Sequence, residues 1–233
     1  MDERVAVFPP KGSSLGLHSW ALEMAALARV NLHPPDNPKE SLPRGDGRTV
    51  LLIPGFLSGD WSMTRLRDFL AGLGYRVETA HVFFNPGPTA SMIAQLDATL
   101  LRLAADAKID IVGISLGGVL ARSLALHHPQ SVRRIVTLCS PIRFPVTTPL
   151  EPFAQILGRF HDSKWVARRH DIAKPLAVPV TAIYSVDDGI VDWRQCLQDE
   201  APGCANIAIR GAHTTMGSNP QAQKIIAFAL ARE

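Results

Sequence analysis

Ile109-Asp110-Ile111-Val112-Gly113-Ile114-Ser115-Leu116-Gly117-Gly118 is the stretch that organises the chain. Its first residues form an apolar run of strand length, and a helical pattern (Leu116, Val119, Leu120, Leu124) follows without a break. Between the two stands Gly-x-Ser-x-Gly. A serine on so sharp a strand-to-helix turn sits in a strained backbone with its hydroxyl exposed above the sheet. Neighbours two positions away must be small, because larger side chains would collide with the turn; hence Gly113 and Gly117. The helix that follows presents its N-terminus to any anion formed there.

Outward from this segment the pattern alternates. Apolar runs of strand length lie at Val50–Ile53, Tyr75–Ala80, Ile109–Gly113, Arg134–Cys139, Val178–Tyr184 and Asn206–Ile209. Helical segments fall between them, near Ser62–Leu73, Thr89–Ala107, Ser115–His128 and Pro220–Arg232. Strands that are nearly continuous apolar runs imply burial on both faces, as in a parallel sheet. The alternation predicts a doubly wound α/β fold with a mostly parallel sheet of about six strands, right-handed crossovers, and chemistry at the carboxyl ends of the strands. Residues 141–177 interrupt the alternation with Phe144, Phe153, Ile156, Leu157, Phe160 and Trp165 among charges. A connection this long carries its own helices or a function, and it reads as a small helical lid or pocket wall. The first 48 residues are polar and Pro-rich at both ends. Ser19 to Leu32 between them is an amphipathic helix candidate, stopped by His33-Pro34-Pro35. The expected organisation is an extension over 1–48, packed on the core, and one domain over 49–233.

Composition excludes several classes. The chain has 233 residues, 46% hydrophobic and 19% charged, with 17 Gly and 18 Pro, which argues against disorder. A net charge of +3 without a Lys/Arg run gives no footprint for nucleic acid. No apolar stretch approaches the roughly 18 residues of a membrane span, and the opening MDERVAVFPPKG reads as neither a secretory signal nor a transit peptide. Three cysteines, Cys139, Cys196 and Cys204, suit a reducing compartment, the cytoplasm, rather than a disulfide framework. The motifs for zinc, nucleotide or dinucleotide sites are missing, so neither a metal nor a cofactor is expected. Oligomeric state is not legible.

Gly-x-Ser-x-Gly occurs twice. Around Ser14 (Gly12-Ser13-Ser14-Leu15-Gly16) the context fails, because Pro9 and Pro10 break the approach and no strand feeds the turn. Ser115 is the candidate nucleophile, and a serine needs an adjacent base held by a third group. In sheets of this kind the partners follow in the order serine, acid, histidine. His18, His33 and His81 precede the serine, His127 and His128 close its helix, and His161 and His170 lie in the long connection. His213 follows the last strand, ahead of a helix opened by Ser218-Asn219-Pro220, and is the candidate base. The acid comes from Asp187, Asp188 or Asp192 after the penultimate strand. Asp188 is favoured because the chain turns at Gly189 and re-enters apolar packing. The oxyanion hole needs the amide of Leu116 and one from the Pro54-Gly55-Phe56 loop, Phe56 first and Leu57 next.

In these residues the chain resembles serine α/β-hydrolases, compact bacterial esterase- and lipase-like members in particular. The resemblance runs from about Thr49 to the C-terminal end, over Pro54-Gly55-Phe56, Gly113 to Gly118, Val136-Thr137-Leu138-Cys139-Ser140-Pro141, Asp188-Gly189-Ile190-Val191, and His213 before Asn219-Pro220. It implies Ser115, Asp188 and His213 as triad, Phe56 and Leu116 as oxyanion donors, and a small-molecule acyl ester as substrate. Many members carry His-Gly in the oxyanion loop; here Ile53-Pro54 precede Gly55. Apolar residues Leu57, Met63, Phe83, Phe84, Phe144 and Phe153 are expected as substrate-binding walls. An acyltransferase or thioesterase with the same triad, and a non-catalytic binding protein of the same fold, are the alternatives.

Overall fold

The computed structural model describes residues 17–32 and 41–232. The Ser14 motif and the His33-Pro34-Pro35 stop lie outside the described residues.

Six strands form one sheet: β1 (Thr49–Ile53), β2 (Arg76–Thr79), β3 (Ile109–Ile114), β4 (Val132–Leu138), β5 (Val180–Ser185) and β6 (Cys204–Ile209). Their order is β2-β1-β3-β4-β5-β6, and every pairing is parallel. The run Thr49-Val50-Leu51-Leu52-Ile53 shows why. Val50 and Leu52 join a core on one face, with Leu66, Phe69 and Leu70 of α2 (Thr64–Gly72) and Ile226 and Leu230 of α7 (Pro220–Ala231). Leu51 and Ile53 join a second core on the other face, with Leu96 and Leu100 of α3 (Ala90–Leu103) and Leu120 and Leu124 of α4 (Leu116–His127). All four strand side chains are 0% exposed, so this strand serves two cores at once. Each such aliphatic side chain contributes about 1.5–3 kcal/mol by leaving water.

Local signals set the helix starts. Thr89 caps α3 by accepting from the Met92 amide, and Asn219 caps α7 by accepting from Gln221 and Ala222, with Pro220 in the first turn. The remaining helices are α1 (Leu17–Leu32), α5 (Glu151–Gly158) and α6 (Ser163–Arg168). No helix among the described residues is long and apolar enough to cross a membrane.

Strand order reverses at β1, which pairs with β2 on one side and β3 on the other. The loops leaving β1 and β3 therefore diverge at neighbouring positions, which opens the crevice where such sheets bind ligands.

The 141–177 connection holds α5, α6 and a 3-10 turn, Arg169–Ala173. It is fastened to the core by Arg122 of α4, a guanidinium 1% exposed. Nε donates to Ile172 O (2.7 Å), Nη1 to Gln198 Oε1 (2.6 Å) and Nη2 to Lys174 O (2.7 Å). Burial pulls its pKa down to about 10. Arg122→Met would fill the space but leave the Ile172 and Lys174 carbonyls and Gln198 Oε1 without this donor. We expect a loss of roughly 3 kcal/mol, read as a lower urea midpoint at unchanged m-value; a midpoint equal to that of the parent would contradict this role.

Candidate active site

The β3–α4 turn carries Ser115 at φ 53°, ψ −125°. A positive φ on a non-glycine residue costs on the order of 1–3 kcal/mol and persists only where the surroundings enforce it. They do so here. The Ser115 amide donates to Leu138 O at 2.8 Å. A Cβ on Gly113 would strike the α4 backbone at Gly117 and Gly118, and one on Gly117 would strike the β1 exit at Ile53 and Pro54. Substitution at either glycine would force the turn open.

The loop after β1 passes beside the serine: a Cβ on Gly55 would lie 3.2 Å from Ser115 Cβ. Among the described residues, the Phe56 and Leu116 amides donate to no protein acceptor, whereas the Leu57 amide donates to Asn85 O at 2.8 Å. Leu57 N–H is thus committed, which separates it from Phe56. Asn85, 0% exposed, fixes this loop: its amide donates to Ser58 O and its Nδ2 to Pro54 O at 3.0 Å. Sequence reasoning missed Asn85, since one Asn before a proline reads as an ordinary turn residue.

The three carboxylates after β5 separate clearly. Asp188 is buried; Oδ1 accepts from the Ile190 and Val191 amides at 2.8 Å each, and Oδ2 lies 2.7 Å from His213 Nδ1. Asp187 is exposed and pairs with Arg210 at 2.9 Å. Asp192 caps a 3-10 turn by accepting from Arg194 N. A carboxylate only accepts, so Nδ1 of His213 carries the proton and Nε2 of the neutral ring is an acceptor. Burial pulls the His213 pKa down, but the charge and hydrogen bond of Asp188, with the charge of Glu23, outweigh it, and the net shift is upward.

Ser115 and His213 line the same cavity, about 640 Å3 in volume. They face this space rather than hydrogen-bonding directly; without substrate such bonds are commonly long and tighten around the reacting group. Gly55, Phe56 and Leu57 form one side of the cavity, and Trp61 and Ile190 contribute further apolar surface. Trp20, Met24, Leu27 and Val30 of α1 also line it. A second cavity of about 660 Å3, between α3, α4 and α6, includes none of these residues.

Of the expected apolar walls, only Leu57 lines the serine cavity. Met63 is 1% exposed inside the core, because the 3-10 turn Asp60–Met63 points it beneath α2. Phe83 and Phe84, 89% and 48% exposed, face outward from the loop after β2. Phe144 packs edge-on against Trp165 at 6.2 Å, in a small cluster over α4. Phe153 on α5 is more than half exposed. Among the described residues of 141–177, Leu150 is the one that lines the cavity. The wall that sequence reading assigned to this connection is supplied mainly by α1. Three other histidines have local roles: His127 contacts Ser123 O, His128 pairs with Asp97, and His161 approaches Pro86 O.

The second residue missed is Glu23 of α1, 2% exposed. Its Oε1 accepts from the Gly189 and His213 amides at 2.8 Å each, and its Oε2 accepts from Thr214 N and Oγ1 at 2.9 Å each. In sequence it is one acid on an amphipathic helix, which ordinarily faces water, and nothing local marks it.

Cys139, Asp188 and His213 place potential metal-ligand atoms within 4.8 Å of one another. Burial, reinforced by the Asp188 charge, holds the Cys139 thiol well above its usual pKa. A metal binds the thiolate, and both Asp188 oxygens already accept hydrogen bonds, so the cluster does not suit an ion. All three cysteines are free thiols.

A family model described as the alpha/beta hydrolase fold matches residues 48–167, just over half of the chain. The matched span includes Phe56, Ser115 and Leu116 and ends before Asp188 and His213. A 2-hydroxymuconate semialdehyde hydrolase of Pseudomonas putida is 32% identical over a 143-residue alignment that covers 55% of this chain and 46% of that protein. The chain thus matches about half the length of this relative. Among solved structures, that of the metagenome-derived lipolytic enzymes LipS and LipT aligns at TM-score 0.60 and 18% identity, over 82% of this chain and 96% of that one. Polyneuridine aldehyde esterase aligns at TM-score 0.56 and 13% identity, over 80% and 100%.

Proposed function

Since the chain belongs to the alpha/beta hydrolase family, we propose that it is a serine hydrolase that cleaves carboxylic esters of apolar acyl groups through an acyl-enzyme. One observation carries this reading: the buried Asp188–His213 pair, 2.7 Å apart, opens onto the cavity lined by Ser115 on its strained turn. His213 Nε2 takes the proton of Ser115 as Oγ attacks the ester carbonyl. The Phe56 and Leu116 amides hold the oxyanion, aided by the N-terminus of α4. His213 then protonates the departing alcohol, and water enters by the same route to release the acid. Asp188 keeps the ring in the required tautomer and stabilises the imidazolium. The cavity walls, Trp20, Met24, Leu27, Val30 and Leu57, favour an apolar acyl chain over a charged one. Residues 49–233 form the hydrolase domain, the first 48 an extension to it, and the free thiols suit the cytoplasm.

The test is a series of p-nitrophenyl esters of increasing acyl length, run beside a fluorophosphonate probe. We expect labelling of the protein and turnover that rises from acetate toward medium chains as apolar contact grows, by up to about tenfold for each pair of buried methylenes. No labelling together with no turnover at any length would leave a non-catalytic binding protein as the reading.

A further inference from the structure

Helix α1 carries a buried carboxylate that apolar packing alone does not require. Glu23 is the one residue of that helix, among the described residues, that is fully buried. Its neighbours Trp20, Met24 and Leu27 line the cavity rather than the core. A leucine at this position would anchor α1 without the desolvation cost of a charge. Among the described residues, no Lys or Arg pairs with Glu23; its partners are N–H and O–H donors from two loops.

Those two loops are the ones that matter. Gly189 directly follows Asp188, and its amide donates to the same Oε1 that accepts from the amide of His213. One oxygen therefore sets the position of the acid loop relative to the base loop. Oε2 holds the next residue, Thr214, through both its amide and its hydroxyl, and that hydroxyl also reaches the Glu23 carbonyl at 3.0 Å. Gly189 lets the helix come close: a Cβ there would lie 2.9 Å from Ser19 O and 3.0 Å from Glu23 Cγ. We propose that Glu23 is a positioning residue that clamps the Asp188 and His213 loops together, so that the docked α1 helix is an integral part of the catalytic arrangement. This rests on the serine-hydrolase reading above.

The clamp has an electrostatic consequence. The groups around His213 are Asp188 from the acid loop, Glu23 from α1, the protonated Cys139 thiol at the end of β4, and, lining the same cavity, Ser115 and Arg65 of α2. The charge of Glu23 favours the imidazolium formed when His213 takes the serine proton. His213 serves as base only when neutral, so activity rises as pH climbs through its pKa. Removing the Glu23 charge should move that acid limb to lower pH.

Glu23→Gln keeps the shape and removes the charge. It also sets an amide NH2 against donors. With ester substrates we expect kcat to fall on the order of 10²-fold, the scale of a small misplacement of catalytic groups, with KM within a few-fold and the acid limb at lower pH. The ring of His213, followed by NMR, should titrate at lower pH, and the Gly189, His213 and Thr214 amides should shift. Thr214→Val removes one donor and leaves the charge; it should cost only a few-fold in kcat and keep the acid limb in place. A Glu23→Gln protein that melts like the parent, turns over within twofold of it and titrates His213 unchanged would overturn the clamp. Should the parent hydrolyse no ester, the serine-hydrolase reading falls. The ring titration and amide shifts then decide the clamp by themselves, and an unchanged His213 pKa with unmoved amides rejects it.

Discussion

Ser115→Ala is expected to lower kcat by a factor on the order of 10⁴–10⁶ while leaving the fold intact, because triad members act as a unit and loss of the nucleophile removes the covalent route altogether. The substitution deletes one oxygen from a side chain that opens into a cavity rather than into packing. The turn is enforced by Gly113 and Gly117 against neighbouring backbone and by the Ser115 amide on Leu138 O, none of which needs the hydroxyl. The melting temperature should therefore change little. Fluorophosphonate labelling should vanish in this variant and persist in Ser14→Ala, a change in the other Gly-x-Ser-x-Gly of the sequence. Intact-mass measurement after probe treatment checks both. Labelling that survives Ser115→Ala would move the nucleophile elsewhere.

Asp188→Asn should cost about 10⁴-fold in kcat, with KM nearly constant. The side-chain oxygen that accepts from the Ile190 and Val191 amides can stay in place, which turns the new NH2 toward His213 Nδ1. That nitrogen must then accept, so the ring proton moves to Nε2, the atom that has to receive the serine proton. The size is the same as for loss of a base, although the base itself is untouched. Asp187→Asn is the paired control. Asp187 is exposed and pairs with Arg210 at the surface, where such pairs contribute about 0–1 kcal/mol. Its kcat should stay within a few-fold of the parent. Equal losses in the two variants would show that the acid had been assigned to the wrong neighbour.

The two cases mark how far sequence reasoning reached. All six strands and the four helices that alternate with them lie within a few residues of the segments expected from apolar runs and cap residues. That is because a strand buried on both faces, such as Thr49–Ile53, leaves a continuous apolar run that nothing else in a polar surface imitates. The sequence also offered Ser115, Asp188 and His213 as a set, because each stands at a strand exit. The serine is flanked by glycines that the turn requires, the acid precedes a turn, and the histidine stands before a capped helix.

The walls of the cavity were not legible. Phe83, Phe84, Phe144 and Phe153 look like lining to anyone reading a sequence, because aromatic residues near an active-site loop usually pack. Which direction a loop side chain faces depends on neighbours far away in the chain. Phe144 instead meets Trp165, and Phe83 meets water.

The sequence by itself determined the parallel sheet, the strained serine turn and the order of the chemical groups, since these follow from periodicity and from steric limits that act over a few residues. Only the tertiary structure decided which of three aspartates meets the imidazole, which helix lines the cavity, and that Glu23, 166 residues before Gly189 in the chain, bonds the Asp188 and His213 loops. Hydrogen bonds and burial depend on where distant segments meet in space, and a single carboxylate carries no mark of the partners it will find there.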